Sequence, residues 1–406
     1  MPLKTALTRR TCVLARMLVC ALGSALGGVA AQAAAWQVTL IEAADNPQLD
    51  RTRLERAYLG HPGGSAADGL NVAWDEAQFE LEAEKSSVKL TAEAAPSLES
   101  ARAMAQKAEK AGASLLVVNL PAAWVAPVAA SVKLPVLNVG ASSDALREKD
   151  CAANLFHLLA SERMRADALA QALVSRKWVN VLLLNGPSPQ DAERSAVAQA
   201  AMKRYGLKTV AIKPFKLSAD PRERALGNFA LLTGNQSYDA VWVVDSDGEF
   251  ARSLPYNTAL ARPVVGDAGL VALSWQAQFD RFGAPQVSRR FFKAAKRTMT
   301  AHDWAAWMAG KAIVAAVTSA PTPASKGAQK IEASSVHKAL LGANLDGSKG
   351  IAMQFRPWDR QLRQPILLTD GQGVQGMMPQ EGVMHPKNAL DTLGADEPEK
   401  LCKTPP

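Results

Sequence analysis

The chain has 406 residues, 48% of them apolar, with 46 basic and 38 acidic side chains and a formal net charge of +8. Its length exceeds what one core usually serves, so two lobes are the default expectation. The positive charge is spread along the chain with no basic block, which gives no case for nucleic-acid binding.

The first 35 residues read as a secretory signal. Lys4, Arg9, Arg10 and Arg16 give a positive start, a short apolar run follows from Met17, and small residues at 31–35 offer a cleavage site before Trp36. The run is too short to remain in a bilayer, and no later run approaches a membrane span. Arg9-Arg10-Thr11-Cys12-Val13-Leu14 loosely resembles a twin-arginine signal, so both export routes stay open. Cys20 follows Val19, where a lipoprotein needs a small residue, and no lipid anchor is read. Loss of the four basic residues leaves 42 against 38, an excess of +4. The mature chain then keeps Cys151 and Cys402. In an oxidising compartment they form one disulfide closing a loop of about 250 residues, or else stay as two buried thiols. Two lone cysteines without neighbouring histidines make a poor metal site.

Short β-rich runs alternate with amphipathic helices, the pattern of parallel sheets covered on both faces. Residues 36–42 open as a strand, 68–77 as a helix with Leu70, Ala73, Trp74 and Ala77 on one face, and 79–90 as a strand. A helix over 96–112 has proline at its start, lysines late and glycine at its end. Strands at 114–120 and 135–139 flank a short helix through Pro127. Helices at 162–177, 189–205 and 221–233 alternate with strands at 179–184, 208–212, 238–245 and 263–266, as βαβ construction requires. Beyond residue 285 come helices at 287–298 and 301–319, a polar linker at 321–327 and a helix at 331–341. Residues 351–369 read as two strands joined by a turn at Pro357 and Asp359.

Four of these features in order resemble the type I periplasmic binding fold, in its branched-chain amino-acid-binding branch. They are the strand at 115–119 with its small-residue loop, the strand at 135–139 running into Gly140-Ala-Ser-Ser143, the segment from Asn154 to Ser188, and the helix from His302 to Ile313 before a hairpin. The resemblance implies an α/β fold of two lobes, parallel sheets flanked by helices, with a hinge crossed by several segments. Its boundaries would be a signal over 1–35, a first lobe of 36–156 with 287–345, a second of 157–286 with 346–370, and a surface tail over 371–406. A narrower likeness covers Phe355-Arg-Pro-Trp-Asp-Arg-Gln-Leu-Arg-Gln-Pro-Ile-Leu, Pro379-Gln-Glu-Gly382, Leu390-Asp-Thr-Leu-Gly394, Leu254-Pro-Tyr and Pro263-Val-Val-Gly. These are similar to substrate-binding proteins that accompany pyrroloquinoline-quinone-dependent alcohol oxidation systems. The resemblance implies a periplasmic protein that hands a small organic ligand to the permease of an ABC importer.

Ligands in open α/β sheets sit beyond the carboxyl ends of the strands, where backbone amides and helix N-termini converge. The strand-end loops therefore nominate Ala122, Trp124, Ala141, Ser142 and Ser143 on the first lobe, and Asn185, Asp245 and Asp267 on the second. Ser142 and Ser143 suit a carboxylate or hydroxyl group, or simply cap a turn. Asp267 lies near where the resemblance places an acid for a ligand ammonium, or belongs to a loop turn. Asp245 ends a strand, or caps the next helix. Trp124 and Trp304 wall the cleft, or belong to the core. Where amino-acid binders carry serines for the ligand carboxylate, this chain has Pro121, Ala122 and Ala123, and Gln190 or Asp191 stands where their second-lobe aromatic packs. An alcohol-derived or aromatic acid fits these departures better than an amino acid.

Catalytic signals are thin. His61, His157, His302, His337 and His385 lie far apart, and no nucleophile elbow, P-loop or dinucleotide fingerprint is present. His385 with Glu381 and Asp391 is explained by a polar tail. The chain is read as a non-enzyme with no cofactor and no metal; the other reading is a ligand sensor or scaffold that kept the fold and lost transport.

Overall fold

The computed structural model describes residues 34–46, 63–319, 331–382 and 384–403. The expected signal up to residue 33, the loop around His61 and the 321–327 linker lie outside them.

The chain opens with β1 (Ala34–Ala43), α1 (Ala66–Glu76), α2 (Gln78–Ala83), β2 (Ser86–Ala95), α3 (Leu98–Lys110), β3 (Leu115–Asn119), α4 (Ala122–Ala129), β4 (Val136–Asn138) and β5 (Leu155–His157). These strands form one sheet in the order β2-β1-β3-β4-β5, parallel throughout. Both faces of the central strands are covered, which is why β3 reads as a buried, mostly apolar run, while the edge strand β2 alternates buried and exposed positions. Along β3, Leu115 and Val117 face one core with Trp36, Leu70 and Trp307, while Leu116 and Val118 face a second with Ile41, Ala105 and Val125. The α3 helix follows from local chemistry: the Ser97 hydroxyl accepts the Ser100 N–H, Glu99 sits in the first turn, Lys107 and Lys110 in the last, and Ala101, Ala105 and Ala108 form the buried stripe.

The chain then crosses into α5 (Glu162–Ser175), β6 (Asn180–Asn185), α6 (Pro189–Arg204), β7 (Lys208–Pro214), α7 (Phe229–Gly234), β8 (Ala240–Val244), α8 (Glu249–Ser253), β9 (Val264–Gly266) and β10 (Val271–Leu273). The order β7-β6-β8-β9 is again all parallel. Leu183 and Leu182 point into opposite cores, repeating the alternation of the first sheet. Helices α9 (Ala284–Ala295), α10 (Ala301–Ser319) and α11 (Ala333–Gly342) follow. Trp304, Trp307 and Ile313 of α10 return to the core of the first sheet. The close is β11 (Leu345–Asp346), β12 (Ala352–Met353), β13 (Ile366–Thr369) and β14 (Val374–Met378). β13 pairs antiparallel with both β10 and β14.

Three local expectations change. The strand expected over 79–90 is the helix α2 followed by a strand that begins at Ser86 and runs on to Ala95. Phe79 is 84% exposed, so its aromatic β-propensity had no partner strand to act on, and the Glu and Leu around it favour helix. The strand pair expected over 351–369 is broken in the middle: Phe355 bridges Leu362, and the turn between them buries Arg356 and Arg360. The segment from residue 371 goes deeper than a surface covering, because β14 joins a sheet and Met378 and Leu393 enter the core of the second sheet.

Cys151 and Cys402 form the expected disulfide, with Cα atoms 5.7 Å apart and a sequence separation of 251. Closing a loop of that length removes about 5 kcal/mol of unfolded-state entropy in the chain-entropy picture, an upper value. Replacing both cysteines by serine is expected to lower the unfolding free energy by about 2–5 kcal/mol in denaturant titration. A double variant as stable as the oxidised parent would contradict this.

Candidate functional site

The carboxyl ends of β4, β6, β8 and β9 carry the loops nominated from sequence, and local hydrogen bonds fix each of them. At the end of β4, the buried Asn138 accepts the Gly140 and Ala141 N–H groups through Oδ1 and donates through Nδ2 to the Ala141 carbonyl. A side chain at Gly140 would collide with the Asn119 backbone and carboxamide, so only glycine lets β3 and this loop approach so closely. Beneath the loop, buried Arg147 donates to the Ala141 and Ser143 carbonyls at 3.1 and 2.9 Å and to Leu159 at 3.0 Å. Burial pulls its pKa down to about 10, against the pull of Asp144 and Asp359.

Helix α5 begins beside this loop. Its N-cap Ser161 accepts the Met164 N–H, and its first residue, Glu162, accepts the Ser142 hydroxyl at 2.6 Å. The Glu162 N–H also donates to the Ser142 carbonyl at 3.0 Å. Arg165, one turn on, reaches Glu162 at 3.2 Å, and Arg194 of α6 reaches its other oxygen at 3.4 Å. Arg194 then forks onto Asp267 just past β9, at 2.5 and 2.8 Å. Asp267 also accepts the Asp245 N–H past β8 at 2.7 Å. A continuous chain, Ser142–Glu162–Arg194–Asp267, thus joins the end of a first-sheet strand to the end of a second-sheet strand. Burial opposes the Glu162 charge, but Arg165, Arg194 and the Ser142 hydroxyl outweigh it and bring its pKa to about 2. For Arg194, burial opposes the charge and Asp267 with Glu162 raises its pKa above the usual value.

His302 completes the cluster from α10. Thr300 and Asp303 cap that helix reciprocally, the Thr300 N–H donating to Asp303 at 2.8 Å and the Asp303 N–H to Thr300 at 3.3 Å. The imidazole meets the Gly140 backbone and feels both Glu162 and Arg165; burial holds its pKa below 6.5. On the second sheet, Ser188 and Asp191 form a capping box on α6, and Asp191 accepts the Ser246 N–H at 2.7 Å.

The structure brings Ser142, Asp245 and Asp267 into one network. Ala141 is buried and its carbonyl is taken by Asn138 and Arg147. The Ser143 carbonyl is likewise held by Arg147. Asp245 also accepts the Ala251 N–H and caps α8, and burial raises its pKa. Asn185 donates to the Gly186 carbonyl, while its Oδ1 is buried without a partner. Ala122 and Trp124 lie half-buried on α4 against the outer core of the first sheet. Trp304 is fully buried, stacked on Trp275 with its Nε1–H on the Gly347 carbonyl, and so takes the core role. His385 pairs with Asp396 at 3.3 Å, not with Asp391, which Arg356 and Arg363 hold. Sequence reading missed Glu162, Arg165, Arg194 and His302. Their one advance signal was opposite charges at i, i+3 in the first turn of the 162–177 helix.

Two parallel sheets, each covered by helices, with strand ends meeting across one polar chain, define the architecture. The chain has the type I periplasmic-binding-protein fold. A solute-binding protein of an ABC transporter from R. palustris, solved with benzoate, shares it at 15% identity and TM-score 0.62, over 84% of this chain and 96% of that one. A periplasmic binding protein from Burkholderia mallei aligns at 14% identity and TM-score 0.65, over 91% and 99%. The closed form of a leucine-, isoleucine-, valine-, threonine- and alanine-binding protein from Brucella ovis aligns at 13% and 0.64, over 82% and 88%. No protein-family model and no curated protein matches the sequence. Among the described residues no helix is long and apolar enough to cross a membrane, and no group of three or more His, Cys, Asp or Glu is placed to hold a metal.

Asp144 gives this type I fold a defined pH response. Its carboxylate accepts the Arg163 N–H at 3.1 Å through both oxygens, facing Ser161, Arg147 and Glu162. Burial raises its pKa to about 6 from 3.8. A raised carboxyl pKa means the folded state holds the proton more tightly, so this group's contribution to stability falls as pH rises from about 4 to about 6. Glu162 acts oppositely: its contribution is present above about 4.5 and lost as pH falls through about 2. Relative to the parent, Asp144→Asn is expected to make the change in stability from pH 4 to 6.5 more favourable by roughly 1 kcal/mol, discounted because solvent reaches part of this carboxyl. Urea unfolding across that range reads it; an unchanged slope removes the assignment.

Proposed function

We propose that the chain is a periplasmic solute-binding protein, without catalytic activity of its own, that delivers a small organic ligand to the permease of an ABC importer. The observation that carries this reading is the convergence of strand ends from both parallel sheets at Ser142 and Asp267, joined through Glu162 and Arg194. A ligand seated there touches both sheets at once. It therefore favours the arrangement in which they are close, by its differential affinity for that state, and closure is what a transporter can read.

The charge pattern speaks to ligand type. Asp267 is neutralised by a forked arginine, so it offers no free charge to an ammonium group. The partnerless Asn185 Oδ1 accepts a donor such as a hydroxyl. An alcohol-derived or aromatic acid suits both features, and the R. palustris relative is a solute-binding protein solved with benzoate. The likeness carried by residues 355–367, 379–382 and 390–394 supports a link to pyrroloquinoline-quinone-dependent alcohol catabolism. Phe355, Arg356, Leu362 and Leu393 are buried, so that likeness marks lineage more than ligand contact.

One observation favours the second reading, a non-transporting sensor or scaffold: the charges between the sheets are already spent on one another. Small-angle X-ray scattering separates the two. A transport receptor is expected to compact, by about 1 Å or less in radius of gyration, when an organic acid that also raises its Tm is added. If every ligand that raises Tm leaves the scattering curve unchanged, the scaffold reading stands instead.

A further inference from the structure

Between α5 and α6, over the ends of β8 and β9, lies a small cavity of about 30 Å3 whose rim is Glu162, Arg165 and Arg194 and whose walls include Leu169, Trp242 and Val244. Its lining is shared between these charged side chains and apolar ones. The two arginines differ in how they are used. Arg194 is committed to Glu162 and Asp267 through all three nitrogens. Arg165 is held at two points, its Nε donating to the Ala272 carbonyl at 2.9 Å and its Nη1 to Glu162 at 3.2 Å, while its Nη2 makes no hydrogen bond among the described residues. A guanidinium fixed at two nitrogens and open at the third is a preorganised donor for an anionic oxygen.

We infer that this slot is the specificity subsite of the proposed binding function, and that the ligand is a short-chain monocarboxylate of two to four carbons. Its carboxylate meets Arg165 Nη2 and its alkyl tail lies toward Trp242. The inference rests on the binding reading above and narrows it. Size selects within the acids: about 30 Å3 is room for one or two water-sized groups, which suits a short alkyl tail better than an aromatic ring. Charge selects against zwitterions, since Glu162, the one carboxylate lining the slot, is already bound by Arg165 and Arg194. Two guanidinium groups balance Glu162 and Asp267, so the site is no general anion trap, and the apolar lining must supply part of the affinity.

The test uses the exported chain with its disulfide intact, and calorimetry with sodium acetate, propionate, butyrate and benzoate, L-leucine and propan-1-ol. The short acids are expected to bind at least about tenfold more tightly than benzoate, leucine or propanol. Losing a charge-assisted hydrogen bond, Arg165→Gln is expected to weaken propionate about ten- to a hundredfold, with a smaller loss for Arg165→Lys. Val197 lines the slot and packs on the second-sheet core, and gives an independent variant: Val197→Phe is expected to unfold as cooperatively as the parent and lose propionate. Tighter binding of benzoate or leucine than of propionate, equal binding by Arg165→Gln, or no binding of any short acid overturns the inference. In each case the wider reading still stands if some other ligand compacts the protein in scattering, and falls only if none does.

Discussion

A single guanidinium, Arg194, holds together groups that would otherwise repel. Glu162 and Asp267 both point at it, one from the start of α5 and one from the end of β9. This mostly buried cation is stabilised by the two carboxylates that meet it, and it in turn helps to stabilise them. Through Glu162 the same cation reaches Ser142, so an element of each sheet is registered against the other by one charge. The geometry of the ends of β4, β8 and β9 depends on that registration, because Asp267 also fixes the Asp245 N–H.

Where the chain crosses between sheets, a different economy operates. Crossing segments leave the ladder, and their carbonyls need donors from elsewhere. Long polar side chains supply them: Arg147 serves Ala141, Ser143 and Leu159, Gln361 serves His157, Leu159 and Leu362, and Gln364 serves Leu158. Lys349 is the extreme case. Fully buried, it donates to the Pro365 carbonyl at 2.9 Å and lies 3.8 Å from the Trp304 ring, and burial drives its pKa far below 10.5. Its proximity to the crossing explains why a lysine occupies an aromatic core: an apolar residue there would leave the Pro365 carbonyl without that donor.

The central strands were legible in the sequence because both their faces are covered, which writes them as buried, mostly apolar runs such as Leu115 to Asn119. α3 was legible because its caps and charges are local. Residues 79–90 were not, since Phe79 carries strand propensity at a position where nothing packs on it. The strand-end loops could be nominated from topology, and Ser142, Asp245 and Asp267 of those loops share one hydrogen-bonded network. Their partners could not, because Arg194 lies 73 residues from Asp267 and pairs with it only through the tertiary fold. Trp304 shows a different limit: an indole on the inner face of a helix reads the same whether it walls a cleft or fills a core, and only the stack on Trp275 decides it.

The C-terminal segment adds a constraint that composition concealed. Its glycines and prolines suggest a loose cover, yet it is attached at both ends of its path. Leu393 packs in the core of the second sheet, and the Gly394 N–H donates to Asp167 of α5. Asp391 meanwhile binds Arg356, whose neighbour Phe355 lies in the core beneath the first sheet. Farther on, Cys402 is bonded to Cys151, three residues before Asn154, whose side chain is fixed to the carbonyls of Ala129, Val132 and Leu134. The segment therefore runs as a strap from one core to the other and ends in a covalent bond. Any relative movement of the two sheets must preserve both attachments.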